Sequence, residues 1–194
     1  MLSRTIAACA LGLTLFATGA FADYEADERM QMLSGGMPRS KFMAYWGIQD
    51  IPKATVSFPG SFKPGTIVIN TAERRLYLVQ DGGTAIRYGI GVGRVGFTWK
   101  GVRKVTEKKE WPSWTPPEQM LKRQPNLPRY MPGGEENPLG ARAMYLGGTL
   151  YRIHGTADPE SIGQAVSSGC FRLTNKDVKD LYDRVLVGAT VIVQ

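Results

Sequence analysis

The sequence of 194 residues contains only one histidine and two cysteines. A zinc site would therefore have to recruit carboxylates, and a framework of several disulfide bonds is excluded. The main apolar stretch, residues 5–18, is shorter than the roughly 20 residues that a transmembrane helix needs. The hydrophobic fraction of 43% is nevertheless sufficient for a packed core, which excludes wholesale disorder.

The N-terminal residues have the pattern of a secretory signal peptide. Arg4 supplies a positive charge, the apolar stretch follows, and Ala20-Phe21-Ala22 forms a small-residue cleavage pattern. Residues 1–22 are therefore predicted to be a signal peptide of an exported protein whose mature chain has no transmembrane segment. Cleavage would remove Cys9 and leave Cys170 as the single thiol. In an oxidising compartment such a thiol is either buried or used for chemistry.

The charge of the chain is positive, with 24 Lys and Arg against 17 Asp and Glu and a formal net charge of +7. Positive charge attracts polyanions in general. Because export argues against a nucleic-acid partner, we expect no nucleic acid and favour an acidic polymer outside the cytoplasm.

The chain divides into two parts after the signal peptide. Residues 23–61 show no sustained periodicity and are interrupted by Gly and Pro, which predicts an N-terminal extension or linker. Residues 62–194 are predicted to form a β-rich α+β domain. Its β-type runs are residues 66–70, 75–79, 84–90, 143–146 and 149–153, of which the first three suggest an antiparallel meander and the last two a hairpin.

One helix is predicted near the C-terminus. Val178, Leu181, Tyr182 and Val185 follow the spacing of one helix face. Thr174 or Asn175 is placed to cap the start of this helix, and Gly188 to end it, before a closing strand over residues 189–193.

Residues 91–96 match the dinucleotide-binding pattern G-x-G-x-x-G. That motif needs a helix directly after it, which presents its N-terminus to the pyrophosphate. Residues 97–102 have the composition of a strand instead, so we do not interpret the glycines as a nucleotide site.

Residues 110–140 contain seven of the twelve prolines together with Trp111 and Trp114. A long loop of this kind inside a compact domain is usually either functional or disordered, and the tryptophans favour a functional loop. The alternative is that both indoles pack a corner of the domain.

His154 and Cys170 each lie where a predicted strand gives way to a loop, a common position for catalytic groups. An imidazole within reach would activate the thiol and later protonate a leaving amine. Arg172 falls on the same face as Cys170 if the segment is extended, and the amides of Gly169 and Cys170 are candidates for an oxyanion hole. The alternative is an inert buried cysteine and a hydrogen-bonded histidine.

These residues carry a resemblance to a known family. His154-Gly155-Thr156 and the segment from Ser167 to Arg172 resemble the catalytic signature of the L,D-transpeptidases. Asn137-Pro138-Leu139-Gly140 and the C-terminal helix also fit that family. The match spans about residues 63–194. Ser168 occupies a position where many members have a second histidine, so any role of that histidine is absent.

The resemblance implies a β-rich domain of mixed sheets with a capping loop over the cleft, acting in the periplasm or cell wall. It implies that Cys170 is the nucleophile, His154 the base and the Gly155 carbonyl the group that orients the imidazole. Arg172 and Ser168 would contact substrate, and a cap over residues 111–117 and the proline-rich run after them would include Trp111 and Trp114. No metal and no cofactor are expected.

The implied reaction is acyl transfer. Cys170 attacks the bond between diaminopimelate and D-alanine in a peptidoglycan tetrapeptide stem, and a thioester forms. The acceptor could be an amine of another stem or of an outer-membrane protein, and water would make the enzyme an L,D-carboxypeptidase. A binding module and a thiol redox protein are the rival classes, although the latter would need a second cysteine.

The state of the thiol before attack has two alternatives. Either His154 and Cys170 form an ion pair in the free enzyme, or His154 acts only as a general base during attack. The neighbouring Arg172 leads us to expect the ion pair.

Overall fold

The computed structural model describes residues 51–194. The predicted signal peptide, residues 1–22, and most of the predicted extension lie outside the described residues. The described part consists of a nine-stranded sheet, a two-stranded sheet and two α-helices. In chain order the elements are β1 (Ala54–Ser57), β2 (Ile67–Asn70), β3 (Arg75–Val79), β4 (Thr84–Gly89), β5 (Val92–Gly93), β6 (Gly101–Glu110), α1 (Glu118–Arg123), β7 (Arg142–Leu146), β8 (Arg152–His154), a 3-10 turn (Pro159–Ser161), β9 (Ala165–Ser167), β10 (Phe171–Arg172), α2 (Asn175–Arg184) and β11 (Thr190–Val193).

The large sheet is mixed. Its strand order is β1-β4-β3-β2-β11-β6-β7-β8-β10, and its parallel pairs are β2 with β11 and β8 with β10. The meander β2-β3-β4 and the hairpin β7-β8 are antiparallel. The predicted β-rich α+β fold with a C-terminal helix and a closing strand is therefore confirmed.

The sheet begins earlier in the chain than the sequence suggested. β1 pairs with β4 in antiparallel register from Ala54 opposite Arg87 to Ser57 opposite Thr84. These residues belong to the segment that we assigned to the extension, residues 23–61. Half-buried and exposed side chains alternate along β1, and none is fully buried. The sequence therefore does not reveal this strand. An edge strand of this kind carries little hydrophobic signal.

The core lies between the large sheet and α2. Val178 and Leu181 of α2 are completely buried, and they pack in one cluster with Met144, Ile153 and Phe171 of β7, β8 and β10. Leucine, isoleucine and phenylalanine gain roughly 1.5–3 kcal/mol each from such burial. The burial of Ile153 and Phe171 therefore fixes which face of β8 and β10 points away from the core.

The ends of α2 are held by different groups. The Thr174 hydroxyl accepts a hydrogen bond from the amide of Asp177 at 3.0 Å, which is the predicted N-cap. At the other end Val185 is the C-cap, so the prediction that Gly188 ends the helix is wrong. The ammonium of Lys108 on β6 donates to the carbonyls of Tyr182 and Val185 at 2.6 and 2.7 Å. A cation at this position satisfies carbonyls that the helix leaves unpaired.

Residues 97–100 were expected to be strand and are not. The amide of Phe97 donates to the carbonyl of Arg94 in a tight turn, and β6 starts only at Gly101. The glycine-rich residues 91–96 therefore have no helix after them. β5 pairs in parallel with β9 instead.

The proline-rich segment between β6 and β7 contains the short helix α1 and one isolated bridge. Trp114 and Met131 exchange two backbone hydrogen bonds of 2.8 Å. Arg123, at the end of α1, lies over the ring of Phe97 at 5.2 Å. The segment thus crosses from the end of β6 to the turn at residues 94–97.

Neither α-helix within residues 51–194 has the length and apolar character required to cross a membrane.

Tyr88 connects β4 to α2 and offers a test of this packing. Its buried hydroxyl donates to Asp180 at 2.6 Å, and Asp180 also pairs with Arg184 and Lys53. We expect Tyr88→Phe to lower the free energy of unfolding by about 1 kcal/mol, because one hydrogen bond is lost while Asp180 keeps its cations. Urea unfolding measures this. The control Tyr77→Phe, which removes a bond to exposed Glu73, should cost clearly less, and equal losses would contradict the prediction.

Candidate active site

The parallel pairing of β8 with β10 brings four functional side chains to one face of the sheet. Phe171 lies opposite Ile153, and Arg172 lies opposite His154. Because side chains alternate along a strand, Arg152 and His154 share the face that points away from the core. Arg172 and, one step outside β10, Cys170 lie on that same face. Arg152 was not recognised in the sequence, and its place two residues before His154 was the available signal.

His154 is buried, with 4% of its surface exposed. Its Nδ1 lies 2.5 Å from the carbonyl oxygen of Gly155. Since a carbonyl can only accept, Nδ1 must donate the proton, and the lone pair is left on Nε2. The pKa of His154 is lowered to about 3, mainly by burial; the Gly155 hydrogen bond opposes the shift, and the charges of Arg172 and Arg152 contribute to it. The imidazole is therefore neutral in the resting protein.

Cys170 is half-buried and unpaired with any other cysteine in the described chain. Its thiol donates to the carbonyl of Leu150, with Sγ at 3.8 Å from the oxygen. Burial raises the pKa of Cys170, while the backbone amide and the guanidinium of Arg152 act in the opposite direction. Burial has the larger effect, so the thiol is protonated at neutral pH.

The two pKa directions argue against the expected ion pair. An ion pair would need a lowered pKa at Cys170 and a raised pKa at His154, and the structure has the reverse in both cases. Arg172 does not change this, because a second cation beside His154 disfavours the imidazolium. The geometry favours a general base that acts during attack.

The loop before Cys170 is held by Ser167. The Ser167 hydroxyl accepts from the amide of Gly169 at 3.2 Å and donates to the carbonyl of Cys170 at 2.6 Å. The Gly169 amide is thus already engaged. The amide of Cys170 remains as the donor for the oxyanion hole, which we had expected both amides to form.

Gly169 has a φ of +107°, and a Cβ there would collide with the ring of Tyr151. Only glycine fits this position.

Trp99 is the tryptophan that contacts this loop, and the sequence did not reveal it. Its indole N–H donates to the carbonyl of Gly169 at 3.0 Å. The ring stacks on Tyr151 with 4.7 Å between centroids and an interplanar angle of 10°. Trp99 was missed because residues 97–102 have the composition of a strand, in which its ring would simply have packed against neighbours.

The glycines of residues 91–96 support the same loop. Gly91 and Arg172 exchange two backbone hydrogen bonds of 2.9 Å. A Cβ on Gly93 would collide with the carbonyl of Phe97 and lie close to the Cα of Gly169. The motif therefore permits close approach of backbones around Cys170 and needs no nucleotide to explain it.

Two asparagines hold the segment before β7, which lies against Gly155. The Asn175 side-chain oxygen accepts from the amide of Ala141 at 2.8 Å and lies directly against Gly140 and Gly155. Buried Asn137 accepts from the amide of Leu139 and donates to the carbonyl of Pro132. Gly155 is thereby held beside the imidazole from the first turn of α2.

Three further residues were predicted to belong to the site: Trp111, Trp114 and Ser168. Trp111 is 38% exposed, and its ring lies 6.0 Å from the ammonium of Lys179 on α2. Trp114 is bridged to Met131. These contacts are with the helix and the loop rather than with Cys170 or His154. Ser168 is half-buried between Ser167 and Gly169. Within residues 51–194 no three His, Cys, Asp or Glu side chains are grouped so as to hold a metal.

The fold and the site together define a β-rich domain with a cysteine and a histidine on one face of a parallel strand pair. Residues 64–193 match the family model of the YkuD-type L,D-transpeptidase catalytic domain. The chain belongs to this L,D-transpeptidase family, which confirms the resemblance.

Two Escherichia coli K12 proteins are among the similar sequences. The chain is 41% identical over 150 residues to the probable L,D-transpeptidase ErfK/SrfK, over 73% of this chain and 47% of that protein. It is 41% identical over 154 residues to the probable L,D-transpeptidase YbiS, over 74% of this chain and 48% of that protein. The chain thus spans about half the length of these relatives.

Solved structures share the fold. An L,D-transpeptidase from Mycobacterium smegmatis has a TM-score of 0.54 at 20% identity, covering 66% of this chain and 58% of that one. A Brucella melitensis protein described as a probable carnitine operon oxidoreductase has a TM-score of 0.52 at 47% identity, covering 77% of this chain and 98% of that one.

The neutral state of His154 can be observed directly, because the chain has one histidine. We expect the ring proton resonances to stay at their neutral positions from pH 8 to pH 5 in NMR spectra, since burial lowers the pKa to about 3. The unfolded chain, with a histidine pKa near 6.5, binds the proton first, so stability is full above pH 6.5 and falls as the pH drops toward 3. His154→Gln should remove this part of the acid sensitivity. A midpoint between pH 5 and 8 would contradict the prediction.

The bond from Trp99 to Gly169 should position Cys170. We expect Trp99→Phe to change the rate of Cys170 alkylation by a small neutral reagent by about 10-fold, because the ring stack survives while the loop loses its anchor. Mass spectrometry follows the adduct. Arg103→Gln, which removes a cation lying over the Trp99 ring, is the control that should leave the rate unchanged. An unchanged rate in Trp99→Phe would show that the loop holds its position without the indole.

Proposed function

We propose that this protein is a peptidoglycan L,D-transpeptidase in which Cys170 is the nucleophile and His154 the general base. The observation that carries the proposal is the shared face of β8 and β10, which presents both the thiol and an imidazole with a fixed tautomer. Family membership supports the reaction class. A binding module would have no use for a half-buried thiol beside a histidine with a free Nε2.

The first half-reaction transfers the stem to the enzyme. As the sulfur attacks the carbonyl between diaminopimelate and D-alanine, Nε2 of His154 takes the thiol proton. The amide of Cys170 stabilises the oxyanion. The C–N bond then breaks, and His154 returns the proton to the amine of the departing D-alanine, which leaves a thioester on Cys170.

The low pKa of His154 disfavours the first of these proton transfers and favours the second. A buried imidazole with a pKa near 3 gives up its proton readily to a leaving amine. It becomes a better base when the bound substrate supplies negative charge nearby, because an anion raises the pKa of a histidine. We propose that the chemistry begins only when substrate occupies the site.

The second half-reaction passes the acyl group to an acceptor. An amine from another peptide stem gives a cross-link, an amine of an outer-membrane protein gives covalent anchoring, and water gives L,D-carboxypeptidase side activity. In each case His154 takes a proton from the acceptor and passes it to the departing sulfur, which restores the Cys170 thiol and the neutral imidazole. We propose a stem amine as the acceptor for the experiment below.

The location and the cap complete the proposal. The protein is exported by its signal peptide and works in the periplasm or cell wall. Residues 111–141 form the cap, with Trp111 and Trp114 at its start and Arg123 against the turn that supports the Cys170 loop. Arg172 and Ser168 contact the substrate.

The experiment is incubation of the purified protein with disaccharide tetrapeptide muropeptides, followed by mass spectrometry of the products. We expect release of D-alanine together with a cross-linked dimer. Cys170→Ala should abolish both products while the protein stays folded, because the sulfur is the only group that can hold the acyl intermediate. The control Arg87→Gln changes a cation on β4, far along the sheet, and should keep activity. Products that persist in Cys170→Ala would overturn the assignment.

A further inference from the structure

Two guanidinium groups lie beside Cys170 and His154. Arg172 is opposite His154 in the register of β8 and β10, and Arg152 shares the His154 face two residues earlier. Both charges act on both Cys170 and His154. The reacting groups are therefore bordered by two cations on adjacent strands.

Among residues 51–194, neither guanidinium has an acidic partner. The ion pairs formed within residues 51–194 join Lys53 and Arg184 to Asp180, Lys109 to Glu107, and Arg142 to Glu110. The Nε atoms of Arg152 and Arg172 are buried and make no hydrogen bond. Arg142 also has such an Nε, but its guanidinium is paired with Glu110.

Within the described part of the chain, the polar contacts of the Arg152 side chain are with neutral groups. Its Nη1 donates to the carbonyl of Leu150 at 2.9 Å, the same carbonyl that accepts from Cys170. The guanidinium also lies 5.1 Å from the ring of Tyr145, whose other contact is the ammonium of Lys109. None of these contacts neutralises the charge.

Two neighbouring cations with buried, unpartnered donors destabilise the folded protein unless an anion binds them. Guanidinium groups present planar pairs of donors that match a carboxylate. The substrate is the available source of such an anion. In the terminal D-alanine of the stem, the carboxylate and the nitrogen that His154 must protonate are attached to the same carbon atom.

We propose that Arg152 and Arg172 together bind the free carboxylate of the terminal D-alanine of the acyl donor. This rests on the function proposed above. The pair selects stems that end in a free D-alanine, and it holds the scissile bond between Cys170 and Nε2 of His154. Arg152 is the new member of the site, and the ligand class is a peptide with a C-terminal carboxylate.

The first test compares the tetrapeptide muropeptide with the same compound whose terminal carboxylate is an amide. We expect kcat/KM for D-alanine or D-alaninamide release by the wild-type protein to fall about 100-fold, because a desolvated charge pair is lost. Arg152→Gln and Arg172→Gln should lose a similar factor with the acid and little more with the amide. Equal rates with acid and amide in the wild type would overturn the proposal while leaving the transpeptidase assignment intact.

The second test needs no turnover. Calorimetry with Cys170→Ala should show binding of the tetrapeptide that weakens at least 10-fold on amidation, on adding Arg152→Gln, or on adding Arg172→Gln. Arg87→Gln is the matched control, since its Nε is also buried and unpartnered but lies on β4. If the wild-type protein shows no turnover but binding still depends on the carboxylate, the proposed function is rejected and the arginine pair is retained. Binding that ignores the carboxylate would reject the arginine pair.

Discussion

The pairing of β8 with β10 is the constraint on which the site depends. Two ladder positions, Phe171 opposite Ile153 and Arg172 opposite His154, decide which side chains face the core. A shift of one residue in this register would bury the arginine and expose Phe171, which is 1% exposed. The hydrophobic burial of two residues therefore holds the thiol, the imidazole and both cations in place. The core residues and the candidate site thus lie on opposite faces of the same strand pair.

The residues around this ladder hold it through backbone atoms. Ser167 and Trp99 bond to the main chain of the Cys170 loop, and Asn175 bonds to the main chain beside Gly155. Gly91 forms a bridge with Arg172 from the opposite side. Such contacts fix positions without constraining which side chain the loop presents. The loops on either side of the β8–β10 pair are thus held by four separate parts of the chain.

The fold could be predicted from the sequence, whereas the contacts that support the candidate site could not. Hydrophobic alternation and the Thr174 cap identified the meander, the hairpin and α2, because local pattern decides them. Trp99 and Arg152 act through contacts between segments distant in the chain, which no local pattern encodes. Gly188 and residues 97–100 were misjudged since tertiary contacts there, including Lys108 at the helix end, override local preference. Of the tryptophans that the sequence singled out, Trp111 lies near Lys179 of α2, and the backbone of Trp114 is bridged to Met131.

The protonated state of Cys170 has a consequence for durability. Peroxides and disulfides react with thiolates, so a thiol whose pKa is raised by burial is a slow target for oxidation. No second cysteine lies within residues 51–194 to form a disulfide with it. The burial that raises the pKa of this thiol thus also protects the sulfur from oxidation. A thiol held in this state keeps its sulfur reduced without the help of a reducing partner.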